Sequence, residues 1–180
     1  FLGSFMPDFT YGLNLNASYK GFSASLLLQG VQGNEIYNGT SVLTQGMMRL
    51  FNADVAVLDA WTPENTDTDM PRAISGDPNR NARVSDRFVE DGSYMRIKNL
   101  TINYSVPTTG LSSLFNGAIS GVNLYVTAQN LLTFTKYSGY DPEIGASANY
   151  SGNNANLLQG VDFGFYPQPR TFIFGMNVSF

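Results

Sequence analysis

The chain contains no cysteine and no histidine. The first absence removes disulfides, thiolate metal sites and cysteine nucleophiles. The second removes the commonest general base and the commonest metal ligand. Charge is scarce too: 13% of residues are charged, about half the usual share of roughly 25%. With a net charge of -4 there is no electrostatic case for nucleic-acid binding. No stretch approaches the roughly 18 consecutive apolar residues that a transmembrane helix requires, which excludes a helical membrane protein but not a barrel. The start at Phe1 has no Met, charged n-region or apolar h-region. It reads as the interior of a longer chain.

Apolar side chains are nevertheless abundant, at 43%, and the aromatics are 13 Phe and 10 Tyr against a single Trp. Mean hydropathy is only -0.11, so apolar and polar residues are interleaved rather than gathered into blocks. The interleaving has a period of two, the mark of a strand with two different faces. It predicts strands near 9–20, 22–32, 94–106, 122–132 and 170–180. In the first, Phe9, Tyr11, Leu13, Leu15, Ala17 and Tyr19 oppose Thr10, Gly12, Asn14, Asn16, Ser18 and Lys20. The Lys20-Gly21 corner makes the first two strands an antiparallel hairpin. In the third strand Met95 and Ile97 are out of phase with Leu100, which predicts a β-bulge near Lys98-Asn99.

The polar faces consist mainly of Asn, Ser, Thr, Gln and Gly, as a hydrated lumen would require, and the strands match the ~9–11 residues that cross a bilayer. The competing architecture is a soluble sandwich, in which more Lys and Glu and shorter strands are expected. The reading is therefore all-β: an antiparallel transmembrane β-barrel. Short turns fall on the side where the chain ends, and two long connections, near 34–87 and 133–169, fall on the other. Short periplasmic turns and long extracellular loops are the asymmetry of outer-membrane barrels. Five strands cannot close a barrel, for which about eight is the practical minimum. Lipid does not tolerate the open edges that would result.

Four segments carry a resemblance to a known family. The first is Pro7-Asp8-Phe9-Thr10-Tyr11-Gly12-Leu13, followed by Gln29-Gly30-Val31-Gln32-Gly33-Asn34-Glu35-Ile36-Tyr37-Asn38. The second runs from Phe88-Val89-Glu90-Asp91-Gly92-Ser93-Tyr94 through Met95-Arg96-Ile97-Lys98-Asn99-Leu100-Thr101. The third is Leu124-Tyr125-Val126-Thr127-Ala128-Gln129-Asn130-Leu131-Leu132-Thr133, leading into Gly139-Tyr140-Asp141-Pro142-Glu143. The last is Tyr166-Pro167-Gln168-Pro169-Arg170-Thr171-Phe172, ending at Phe180. Together they resemble the C-terminal region of the SusC/RagA family of TonB-linked outer-membrane transporters.

The resemblance implies that residues 1–180 are the C-terminal strands of a barrel of about 22 strands, with the plug and N-terminal regions outside this chain. It also implies import of oligosaccharides or peptides across the bacterial outer membrane. The implied partners are the rest of the barrel and its plug, a SusD-like surface lipoprotein as lid, TonB through the absent N-terminal part, and outer-membrane lipid. No cofactor is implied. The alternating Phe172, Phe174, Met176, Val178 and Phe180 resemble the terminal signal read by the barrel assembly machinery. The alternative reading is a self-standing surface β-domain that binds glycans without transport.

Within the long connections, Trp61, Tyr137, Tyr140 and Tyr150 are candidates for stacking on a ligand or contacting a lid, against internal packing or interfacial anchoring. The carboxylate pairs Glu90-Asp91 and Asp141/Glu143 have the composition of a glycosidase dyad. Their Asp-Gly and Asp-Pro contexts are ordinary turn chemistry, so no enzyme is expected. Asp67, Asp69 and Asp77 match no calcium-loop spacing and read as a solvated loop.

Overall fold

A strand lying between two different solvents must show a different chemistry to each, and five strands of this chain do so. The computed structural model describes residues 2–47, 52–107, 118–144 and 159–180. Contacts divide the chain into two units. One comprises residues 8–32, 93–136 and 168–180; the other comprises residues 1–7, 33–92 and 137–167.

The first unit is a single antiparallel sheet of β1 (Phe9–Tyr19), β2 (Phe22–Gln32), β5 (Tyr94–Ser105), β6 (Gly121–Thr135) and β8 (Thr171–Ser179), in the order β1-β2-β5-β6-β8. β6 runs three residues past the end of its clear alternation, because Leu132, Thr133, Phe134 and Thr135 still find partners in β5. Lys20 and Gly21 both have positive φ, 44° and 87°. That is the left-handed pair a two-residue hairpin turn demands, and it matches the twist of the flanking strands.

The register joins the apolar residues into one face. Leu15 lies opposite Leu26, Leu26 opposite Leu100, Leu100 opposite Ala128, and Ala128 opposite Phe172. A row nearer the hairpin runs Ala17, Ala24, Ile102, Val126 and Phe174. On the other face Ser25, Thr101 and Thr127 line up, and the two threonine hydroxyls sit 2.9 Å apart. The register slips at Lys98: Leu27 pairs with Asn99 but Leu28 with Ile97. One extra residue there returns Met95 and Ile97 to the same face as Leu100, despite their opposite phase in the sequence. β6 answers with an irregularity of its own at Asn130, whose φ is +50° and whose amide donates to the Pro169 carbonyl at 3.1 Å.

Among the described residues no second sheet belongs to this unit, and its apolar face is left uncovered: Phe174 is 75% exposed, Phe22 54% and Leu13 48%. A sandwich would bury these side chains between two sheets. An uncovered apolar face spanning five strands is instead what lipid covers. Two tyrosines fill in for glycines directly opposite them, Tyr11 over Gly30 and Tyr125 over Gly175. In each case an added methyl would collide with the ring. Near the short hairpin the rings of Phe22 and Tyr104 lie 4.4 Å apart and the Lys20 ammonium stands 5.2 Å from the Tyr19 ring centre. This is an aromatic and cationic grouping suited to a membrane interface.

In the second unit parts of both long connections, near 34–87 and 133–169, fold together. Its small sheet, in the order β4-β3-β7, joins β3 (Glu35–Asn38) antiparallel to β4 (Val89–Asp91) and parallel to β7 (Val161–Asp162). A short helix, α1 (Gly39–Gln45), starts at Asn38, whose side chain accepts from the Ser41 amide at 2.9 Å. Two 3-10 turns, Val55–Asp59 and Asp86–Phe88, follow. Ile36 and Phe88 are fully buried here, with Tyr37 edge-on to Phe88 at 6.4 Å between ring centres. The segment before β1 belongs to this unit: the Ser4 amide donates to a Glu35 carboxylate oxygen at 2.7 Å and its carbonyl accepts from the Glu35 amide at 2.8 Å.

Candidate functional site

Stretches with no hydrophobic period must be held by something other than a core, and in the second unit short polar side chains do it. The chain around Trp61 is tied through Asp59. Its carboxylate accepts from Asn65 Nδ2 at 3.0 Å and from Thr68 Oγ1 at 2.9 Å, and its carbonyl accepts from the same two groups. The Trp61 amide donates to the Met70 carbonyl at 3.0 Å. Further on, Asp77 takes up a left-handed backbone, and its two carboxylate oxygens accept from the amides of Asn81 and Ala82 at 2.7 and 2.8 Å. These are Asx-type closures that give a loop a fixed shape.

Between the two tied loops lies a cleft of roughly 390 Å³. Trp61, Met70, Pro71 and Ile74 supply its apolar lining, and Asp69, Arg72, Asn79 and Asn81 its polar one. Arg87 donates to the Met70 sulfur at 3.0 Å. Burial lowers the pKa of that guanidinium, an effect opposed by the negative charge of Asp77. Trp61 is about one-third exposed. Among the described residues its indole has no aromatic partner and no hydrogen bond.

The other candidates fall elsewhere. Tyr140 is 72% exposed, and Tyr150 lies outside the described residues. Tyr137 is buried, and its hydroxyl donates to Asp162 at 2.5 Å. It therefore packs the unit from within and is not available to a ligand. The other oxygen of Asp162 accepts from the amides of Gly164 and Phe165 at 2.8 and 2.9 Å. Glu90 is similarly occupied: one oxygen accepts from Asn38 Nδ2 and Ser138 Oγ, at 2.9 and 2.8 Å, and the other from the Ser138 amide at 2.8 Å. Asp141 is buried and closes its own turn on the Glu143 amide. Glu90 and Asp141, one from each carboxylate pair, thus hold neighbouring loop groups in place. Among the described residues no group of three or more acidic side chains is gathered to hold a metal.

Burial, then the hydrogen bond to Asp162 and the negative charges of Asp162 and Glu90, push the Tyr137 phenol well above the ordinary tyrosine range. Below about pH 10 both folded and unfolded chains hold this proton, so the contribution to stability is complete. Above it the unfolded chain releases the proton while the folded one keeps it, and stability falls as pH rises. Protease susceptibility of residues 137–167, measured from pH 8 to 11, is expected to climb steeply near the top of that range. The Tyr137→Phe variant should lose the steep part of the climb. An equally steep rise in that variant would count against the assignment.

The terminal residues Phe172, Phe174, Met176 and Val178 lie on the apolar face of the sheet, opposite Ala128, Val126, Leu124 and Val122, and Phe180 follows the end of β8 at 91% exposure. Arg96, on the polar face, is almost fully buried and donates to Thr133 Oγ1 at 2.8 Å. The polar members of the cleft, Arg72, Asn79 and Asn81, had no sequence signal beyond a stretch rich in Asn, Asp and Pro.

No family model matches the chain. Individual proteins do. It is 42% identical over 183 residues to TonB-dependent receptor P3 of Formosa agariphila and 26% identical over 178 residues to TonB-dependent receptor SusC of Bacteroides thetaiotaomicron. These alignments cover 99% and 96% of this chain but 17% and 15% of the relatives. Among solved structures, the RagAB peptide importer in its closed-closed state superposes with a TM-score of 0.78 at 32% identity, over 99% of this chain and 18% of that one. The chain therefore spans less than one-fifth of the proteins it matches.

Proposed function

Because this chain belongs to the SusC/RagA family of TonB-dependent receptors and forms part of their outer-membrane β-barrel, we propose that it serves in a nutrient importer for oligosaccharides or peptides. Energy would come through TonB, by way of a part of the protein outside these 180 residues. A plug would occupy the lumen and a SusD-like lipoprotein would close the outer mouth. The end of the sheet from which the long connections depart is the outer one. The terminal run Phe172, Phe174, Met176, Val178 and Phe180 serves barrel assembly as well as lipid contact. No chemical step on the cargo is part of this reading.

The observation that carries it is the two-faced sheet, apolar and uncovered on one side and lined by Asn, Ser and Thr on the other. A self-standing soluble glycan-binding domain would have to cover the apolar side. The test is uptake by intact cells. Labelled oligosaccharide or peptide should enter in a manner lost on deleting the gene, on deleting TonB and on collapsing the proton gradient. Unchanged uptake after deletion, or recovery of the protein in the soluble fraction without detergent, would overturn the proposal.

A further inference from the structure

The geometry points to a saccharide-binding site in the cleft around Trp61, which takes the end of a neutral oligosaccharide. Its volume, roughly 390 Å³, falls in the range of about 300–1,000 Å³ typical of small-molecule sites and is too small for a folded partner. The indole of Trp61 lines it with no ring stacked on it and with its N–H unpaired among the described residues. A sugar ring carries C–H groups on its faces and hydroxyls round its rim. An aromatic or apolar wall ringed by amide, carboxylate and guanidinium groups is complementary to that shape, with Trp giving both a broad apolar surface and a donor.

The polar complement is present. Asp69 and Arg72 line the cleft, exposed and without partners among the described residues, and Asn79 and Asn81 present side-chain amides beside them. Asp77, by contrast, spends both carboxylate oxygens on backbone amides. One free carboxylate and one free guanidinium favour no net charge in the ligand, which is why a neutral sugar is chosen over an anionic one. Extended peptides are usually bound by adding a strand to an exposed sheet edge. The walls of this cleft are turns closed on Asp59 and Asp77 and offer no such edge. Those closures also fix the walls before the ligand arrives, which lowers the ordering cost of binding.

The existence of this site does not depend on the importer reading; its use, to capture cargo ahead of transport, does. The full-length protein in detergent is titrated with maltotriose, cellotriose and mannotriose, and separately with mixed tripeptides, with saturation-transfer NMR as the readout. At least one trisaccharide should bind. Trp61→Ala should weaken it by about tenfold or more, Arg72→Ala should weaken it as well, and Trp61→Tyr should restore part of the loss. Heat-modifiable migration on gels confirms that each variant is folded. Binding by none of the trisaccharides, equal binding to Trp61→Ala, or Trp61-dependent binding of tripeptides alone overturns the inference. The uptake assay separates the two claims. Trp61-dependent saccharide binding without TonB-dependent uptake keeps the site and sinks the importer; uptake without such binding does the reverse.

Discussion

Replacing Phe174 with arginine is expected to destabilise the protein by about 2–4 kcal/mol, whereas the same change at Asn177, three residues along the strand, is expected to be nearly neutral. Phe174 lies in the row of Ala17, Ala24, Ile102 and Val126 on the apolar face and is 75% exposed. If lipid covers that face, an arginine there must be taken out of water near the middle of the bilayer, which costs roughly 2–4 kcal/mol in outer-membrane barrels. Asn177 sits opposite Asn123 on the other face, where a hydrated lumen accepts a charge. Urea unfolding of the full-length protein in lipid vesicles measures both. Equal effects from the two substitutions would mean that the faces do not meet different solvents, and the barrel reading would fail with them.

The second large effect is expected at Asp162. Its side chain is 1% exposed and serves three donors: the Tyr137 hydroxyl and the amides of Gly164 and Phe165. Alanine there leaves all three without an acceptor, and a buried orphaned donor costs about 1–3 kcal/mol. Asp162→Ala should therefore lose roughly 3 kcal/mol or more of local stability, since water can re-enter to serve only part of the deficit. Asp162→Asn should lose less, because its one oxygen can keep the two amides while the phenol rotates to accept from the new NH₂ group. Hydrogen exchange of residues 33–47, 88–92 and 159–167 reads the change directly. Protection there is expected to collapse in Asp162→Ala, while residues 9–32 stay protected. Unaltered exchange in Asp162→Ala would mean that the network is ornamental.

The two units differ in how much of each the bare sequence discloses, and the difference is physical. A membrane-facing strand obeys one rule along its whole length, so Phe9 to Tyr19 and Phe172 to Val178 announce themselves by alternation. The phase slip at Met95 and Ile97 likewise announced the irregularity at Lys98. The second unit follows no such rule. β3 finds β7 as a parallel partner more than a hundred residues away, over two residue pairs only. The turns are set by Asn38, Asp54, Asp59, Asp77 and Asp162 closing on nearby groups. Any solvated loop has residues of those types, so composition does not separate a folded loop from an open one. Tyr137 shows the limit well. An aromatic in a polar stretch looks like a surface anchor, and only the burial of Asp162 beside it reveals a packing role. Trp61 was legible as a candidate; the arginine and asparagines that make its surroundings a cleft were not.

The extra residue at Lys98 has a bearing on how such chains are to be compared. It changes the parity of β5: upstream of it odd-numbered residues, Met95 and Ile97, face the apolar side, and downstream even-numbered ones, Leu100, Ile102 and Tyr104, do. A related chain without this residue keeps its apolar face with the identities at 94–97 unchanged, because Asn99 then follows directly on Ile97, which still meets Leu28. An ungapped alignment of the two would then score every one of those positions as a reversal. A single gap at Lys98 turns four apparent substitutions of character into none, so one length change accounts for what would otherwise count as four reversals.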